Sequence, residues 1–210
     1  MKRKNPVVIS LVLVAFCFTT TAKANLVITE IMSYSAHHHT NFDWWELTNT
    51  SSSSVGLTGY SWDDDTQIPG RNVFGNITIA AGESIIILEA YGDGLQAWEN
   101  DWGIDTGVNV YGVTYFSGFS GLENSDGVFL YDASDALVTF AEYTSSTEGF
   151  SNEWDINGAF LDLSVIDENG AYQSSNQYPD VGSPGYAVPE PATIALLALG
   201  GLALRRKCRA

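Results

Sequence analysis

The sequence predicts an all-β sandwich, and three observations lead there. Val, Ile, Thr, Tyr, Phe and Trp gather in short runs, and Gly, Asn, Asp and Ser break those runs at brief intervals. Two of the breaks are tight enough to turn the chain straight back. Between residues 25 and 188 no apolar pattern with a helical period persists for several turns. About seven short strands suffice for two packed sheets. With 210 residues, 45% of them hydrophobic and 12% aromatic, the chain can bury a core, and one main domain is the expected organisation.

The first segment has a different purpose. Lys2, Arg3 and Lys4 precede an almost wholly apolar run, PVVISLVLVAFCF, over residues 6–18. The run then gives way to TTTAKA, where Ala22 and Ala24 form the small-x-small pattern that signal peptidase accepts. Residues 1–24 therefore read as a secretion signal, with the mature chain starting near Asn25. As a membrane anchor the run is short, since a helical span needs about 20 residues. Lipid attachment at Cys17 is disfavoured because Phe16, not a small residue, precedes it. The other cysteine, Cys208, lies at the far end, so no disulfide framework is expected.

Strands are expected at Leu26–Met32, Trp44–Thr48, Ser54–Leu57, Asn76–Ile79, Ser84–Glu89, Gly127–Tyr131 and Leu137–Tyr143. Alternation along WWELTN sends Trp45 and Leu47 to one face and Trp44, Glu46 and Thr48 to the other. Glu46 is thereby either a ligand or an acceptor for nearby loop amides. Ser51–Ser54 reads as a solvent loop, and Ala80–Glu83 and Asp132–Asp135 read as hairpin turns. Residues 91–123, rich in Gly, Trp and Tyr with weak alternation, read as a long surface insert.

These residues resemble a known family. Leu26–Met32, then Asp43-Trp44-Trp45-Glu46-Leu47-Thr48-Asn49, then Val55-Gly56-Leu57-Thr58-Gly59-Tyr60 are similar to the opening of lamin-tail domains. Ile77–Leu88 and Gly127–Val138 resemble two later hairpins of that family, and Gly182-Ser183-Pro184-Gly185 matches its closing S-P-G. The likeness covers most of residues 25–186. It departs at Ala81, at Asp135-Ala136 and in the insert. The resemblance implies an immunoglobulin-like β-sandwich, used in bacteria as an exported accessory or tethering module, with no catalytic residues.

The last segment is again distinct. Ala192–Leu204 is nearly pure Ala, Leu, Ile and Gly, and Arg205, Arg206, Lys207 and Arg209 follow it. As a helix the apolar stretch reaches only about 20 Å, short of a ~30 Å hydrocarbon core, so it serves as a transient stop with its basic end on the cytoplasmic side. Pro189 and Pro191 keep the chain around Glu190 extended, where a protease can grip it. Val188, Pro189, Glu190 and Pro191 with the apolar stretch and basic end resemble the PEP-CTERM sorting signal. That resemblance implies recognition by an exosortase-type membrane peptidase, removal of the tail, and display or release at the surface of a Gram-negative cell. The expected organisation is thus a signal at 1–24, a lamin-tail-like sandwich at 25–187 with its insert near 91–123, and a sorting tail at 188–210.

Charge narrows the function. Residues 25–188 hold 24 acidic residues against Arg71 alone, a formal charge of −23. Such a surface repels phosphate backbones, which excludes nucleic acid as a partner. It attracts divalent cations, and Asp63, Asp64, Asp65, Asp132 and Asp135 are the candidate Ca²⁺ ligands from loops. The calcium-loop pattern itself fails, because Leu122 and Val165 stand at the first ligand positions of the two nearest matches. His37, His38 and His39 are the only imidazoles, adjacent on a loop, and neighbours in sequence seldom converge on one ion. Without a Cys, a Lys or a second histidine site in 25–188, nucleophilic catalysis lacks components. No enzyme is expected, and no required cofactor.

The leading expectation is a non-catalytic cell-surface or extracellular-matrix protein. A carbohydrate-binding module is the first alternative, with Trp98 and Trp102 in the insert as rings for stacking on exopolysaccharide. A calcium-stabilised adhesion module is the second. Export machinery, the exosortase-type peptidase and, through the tail helix, the membrane complete the expected partners.

Overall fold

Every residue of WWELTN is buried, so this strand lies between two apolar layers rather than at a surface. The structure is a computed structural model, and it describes residues 26–36, 42–89, 94–103, 108–112 and 121–187. In chain order the elements are β1 (Leu26–Met32), β2 (Trp44–Asn49), β3 (Val55–Gly56), β4 (Ser61–Asp63), β5 (Asn72–Val73), β6 (Thr78–Ile79) and β7 (Ser84–Leu88). There follow α1 (Gly94–Trp102), β8 (Asn109–Gly112), β9 (Asp126–Tyr131), β10 (Leu137–Tyr143), β11 (Asn152–Trp154), β12 (Phe160–Leu163), β13 (Tyr172–Gln173) and β14 (Val181–Gly182).

Two sheets carry the fold. The larger runs β12-β11-β1-β2-β7-β8, antiparallel except for the parallel pair β7 and β8. The smaller runs β10-β9-β4-β5, and there are two short ribbons, β13-β14 and β3-β6, the latter adding Val55 and Ile79 to the core. Between the sheets Ile28 and Ile31 of β1, Trp45 and Leu47 of β2 and Ile85 and Ile87 of β7 meet Trp62, Val128, Leu130 and Ala141. This is the sandwich core. Alternation sends Met32, Trp44, Ile86 and Leu88 to the opposite face of the larger sheet, where Trp98 and Trp102 of α1 cover them. The central strands are apolar at both parities, hence SIIIL is buried throughout. Trp44 sits edge-on to both helix rings with centroids 5.6 Å away, a geometry aromatic quadrupoles favour.

One irregularity in β1 positions the outer-face carboxylates. The register of β1 against β2 slips between Ile28 and Glu30, leaving Thr29 as an extra residue. Because of that bulge Ile28 and Ile31 both reach the inner core, and Glu30 sits on the outer face opposite Glu46.

The seven expected strands are all present, β1 and β10 with the expected bounds and the other five with shifted ends, and two expectations are corrected. Ala80–Glu83 is a tight turn, with Glu83 N–H donating to the Ala80 carbonyl at 3.1 Å and Gly82 at φ +74, but it is not a hairpin. Its flanking strands go to different partners, β6 to β3 and β7 to β2, so the chain passes from one sheet to another there. Asp132–Asp135 does join a hairpin, β9 to β10, with Asp135 at φ 63. The described part of the insert, residues 94–103 and 108–112, is not a surface loop either. Leu95, Trp98 and Trp102 repeat at helical spacing, and α1 lays these residues onto the larger sheet.

Candidate functional site

Three of the outer-face carboxylates form a row across the larger sheet. Glu46 of β2 stands opposite Glu30 of β1, and Glu30 stands opposite Glu153 of β11. Their exposures are 0%, 1% and 3%, so all three are shut away from water. Among the described residues the nearest ion pair is elsewhere, Arg71 with Asp63 at 3.8 Å in the smaller sheet. Hydroxyls and amides therefore have to satisfy the row.

The chain supplies them from a strap, Val181-Gly182-Ser183-Pro184-Gly185-Tyr186, laid over the carboxylates. Glu30 accepts the Ser183 N–H at 2.7 Å, the Ser183 hydroxyl at 3.0 Å and the Ser151 hydroxyl at 2.5 Å. Glu46 accepts the Gly185 N–H at 2.6 Å and the Thr29 hydroxyl at 2.5 Å. Glu153 accepts from Asn169 at 3.0 Å and lies 3.4 Å from the Ser183 oxygen, whose one hydrogen lies closer to Glu30. Thr48 and Ser84 extend the network along β2 and β7, 2.7 Å apart. The bulge at Thr29 thus provides both the register and a donor.

Burial dominates the electrostatics. It pushes Glu30 well above the usual carboxylate range, the Glu46 charge adds to the rise, and the Ser151 and Ser183 bonds oppose it. Burial raises Glu46 from 4.5 to about 7 against the bonds from Thr29, Gly185, Thr48 and Ser84. Glu153 is raised by burial, with the Asn169, Ser164 and Ser183 bonds opposing. Near neutrality the row retains protons that exposed glutamates would have lost. A glycosidase also uses paired carboxylates, but substrate has to reach them, and here the strap seals them. Chemically the arrangement is a lock.

Two glycines let the strap lie so close. A Cβ on Gly182 would stand 2.8 Å from a Glu30 oxygen, and one on Gly185, at φ +87, would stand 2.3 Å from Val108 Cγ2. Gly185→Ala is expected to cost about 2–3 kcal/mol, combining a left-handed backbone with overpacking. Thermal unfolding checks it, and a wild-type midpoint would contradict the strap geometry.

A second pair of carboxylates, Asp43 and Asp180, lies at the end of the sheet. Asp180 accepts the Ser35 hydroxyl at 2.8 Å and the Ala36 N–H at 2.7 Å. Burial and, next, the Asp180 charge raise Asp43 to about 8.

Three of the five loop aspartates expected as calcium ligands, Asp63, Asp64 and Asp132, accept bonds from their own loops. Asp63 accepts the Thr66 hydroxyl and the Ile68 N–H, both at 2.6 Å, and Asp64 accepts the Thr66 N–H at 3.1 Å. The Asp65 N–H is held by Asp126 at 3.0 Å, and the Asp65 side chain is exposed. Asp132 caps its hairpin through Ser134 and Ala136, bonds that hold its carboxyl below the usual range, while Asp135 supplies the left-handed turn. Among the described residues no cluster of three acidic, histidine or cysteine side chains is arranged to hold a metal. Trp98 and Trp102 correct the sugar-stacking expectation: they are 0% and 2% exposed, on a helix rather than a displaying loop. Ala22, Ala24, His37, His38, His39, Val188, Pro189, Glu190 and Pro191 lie outside the described residues.

Sequence reasoning singled out Glu46 but missed Glu30, Glu153, Ser151 and Ser183. A signal was present. LVITEIM and WWELTN each carry one glutamate inside a largely apolar strand, and an isolated carboxylate in such a setting needs a dedicated set of donors.

A family model of the lamin tail domain matches residues 19–145, and a model of the PEP-CTERM protein-sorting motif matches residues 187–209. A search of curated proteins found no match. The first match ends just past β10, so β11, which supplies Glu153 and pairs with β1, lies beyond it, as does the strap. The second begins one residue after Tyr186, where the strap ends.

Proposed function

We propose, from the premise that this chain belongs to the lamin tail domain family and ends in a PEP-CTERM protein-sorting motif, that it is a structural component of the cell surface or extracellular matrix. The sorting motif marks an exported protein handled by an exosortase-type system, and neither matched region is a catalytic one. The observation that carries the proposal is the junction between them. Residues that look reactive, the paired buried glutamates, hold the strap that runs directly into the sorting motif. The domain is therefore read as cargo locked to its own address, with residues 1–24 and the tail as processed ends. The carbohydrate reading loses its two named rings to the core, and three of the five loop aspartates of the calcium reading, Asp63, Asp64 and Asp132, accept bonds from their own turns.

Intact-mass measurement on protein recovered from its native host decides the proposal. The expected species lacks residues 1–24 and the apolar part of the tail, and it fractionates with the cell surface or matrix. Retention of residues 192–210 would refute processing, and recovery solely as a freely diffusing protein would refute the structural role.

A further inference from the structure

Both sheets end, on the same side of the sandwich, in a strand that among the described residues is paired along one edge only. Among the described residues β10 pairs with β9 alone and β12 with β11 alone. Between them run two cavities of about 490 and 420 Å³ that share Glu142 and Phe160, and so make one continuous groove along β10. Leu137, Phe140 and Phe160 stand on its lips at 52%, 50% and 53% exposure. Neither phenylalanine is loose. Phe140 stacks on Phe129 at 5.6 Å and 5°, and Phe160 meets Trp154 edge-on at 5.4 Å, so the walls are formed in advance.

We infer that this groove receives an extended segment of another polypeptide, paired through its main chain with β10 and bearing a basic residue opposite Glu142 and Asp162. The free edge of a strand offers a row of unsatisfied N–H and C=O groups, which another strand completes and a sugar does not. Natural edges are usually blunted by Lys or Pro. β10 has neither in LVTFAEY, and its bulge, between Leu137 and Thr139, leaves Thr139–Tyr143 regular. At about 3.3 Å per residue the groove from Thr139 to Ser145 holds a segment of about seven residues. Charge selects the occupant. Glu142 and Asp162 are the only charged side chains lining the two cavities, and both are acidic. On the processing proposed above, a second copy brings no free lysine or arginine to meet them, because Arg71 is the only Lys or Arg in residues 25–188 and is engaged with Asp63. The partner is therefore a different protein.

The test uses the exported protein and a seven-residue peptide of alternating valine and threonine with one lysine, followed by calorimetry and hydrogen exchange. Binding with slowed exchange over 139–143 is expected, weakened at least tenfold when the peptide is N-methylated along one edge, by Glu142→Lys, and by Phe140→Ser with Phe160→Ser. The two phenylalanines are half exposed, so the variants keep their fold, which near-ultraviolet circular dichroism verifies. Several outcomes overturn the inference: no binding, equal binding of the N-methylated peptide, binding of a neutral hexasaccharide in its place, or concentration-dependent self-association that protects 139–143 without peptide.

Discussion

Raising the pH from 5 to 8 is expected to remove about 2–3 kcal/mol of unfolding free energy through Glu46 alone, read as a lower urea midpoint at pH 8. The direction comes from proton binding. Glu46 titrates near 7 when folded and near 4.5 otherwise, so the native state holds its proton more tightly than the unfolded chain. That stability is fully present below about 4.5 and is lost as the pH rises through about 7. Asp43, raised from 3.8 to about 8, contributes with the same sign and a similar magnitude. Glu30 and Glu153 act in the same direction. Glu46→Gln should remove only the Glu46 share of the slope, leaving those of Asp43, Glu30 and Glu153, because the amide oxygen still accepts from Gly185 while its NH₂ faces the Thr29 hydroxyl, which can turn. A midpoint that stays level or climbs between pH 5 and 8 would contradict the burial of the row.

Trp98→Ala is expected to cost about 3–5 kcal/mol, the usual penalty for deleting a fully buried indole. Trp98 touches Trp44 on the sheet and Trp102 on its own helix, so the truncation opens a void at the centre of the outer layer. Loss of α1 from the sheet should accompany it, exposing the face that bears Ile86 and Leu88. Denaturant unfolding measures the cost. A ring displayed for a ligand would give a stability within about 0.5 kcal/mol of wild type, the range of surface changes, and that result would restore the stacking expectation.

The strands legible in the sequence were those whose composition and length speak for themselves. LVITEIM, SIIIL and LVTFAEY combine β-branched residues with clear flanking turns. β4, β5 and β11 to β14 have four residues or fewer, too few for a period to declare itself. The α1 helix was hidden because only Leu95, Trp98 and Trp102 mark its buried face, and the polar residues among them read as loop. Pairing was the harder problem. Ala80–Glu83 has the chemistry of a hairpin turn, yet β6 pairs with β3 and β7 with β2 although Ile79 and Ile85 enter the same core, and no local pattern encodes that choice. The carboxylate row was half legible for a similar reason: alternation places Glu46 on the outer face, but only the one-residue slip in β1 brings Glu30 opposite it, and Ser183 arrives from 153 positions away.

The strap has a mechanical meaning. Tension on the chain beyond Tyr186 is transmitted first through the Gly185 and Ser183 amides into β2 and β1, interior strands of the larger sheet, instead of peeling an element from the periphery. A tether attached at that end pulls on the middle of the molecule, and its grip is as strong as the donors around two glutamates.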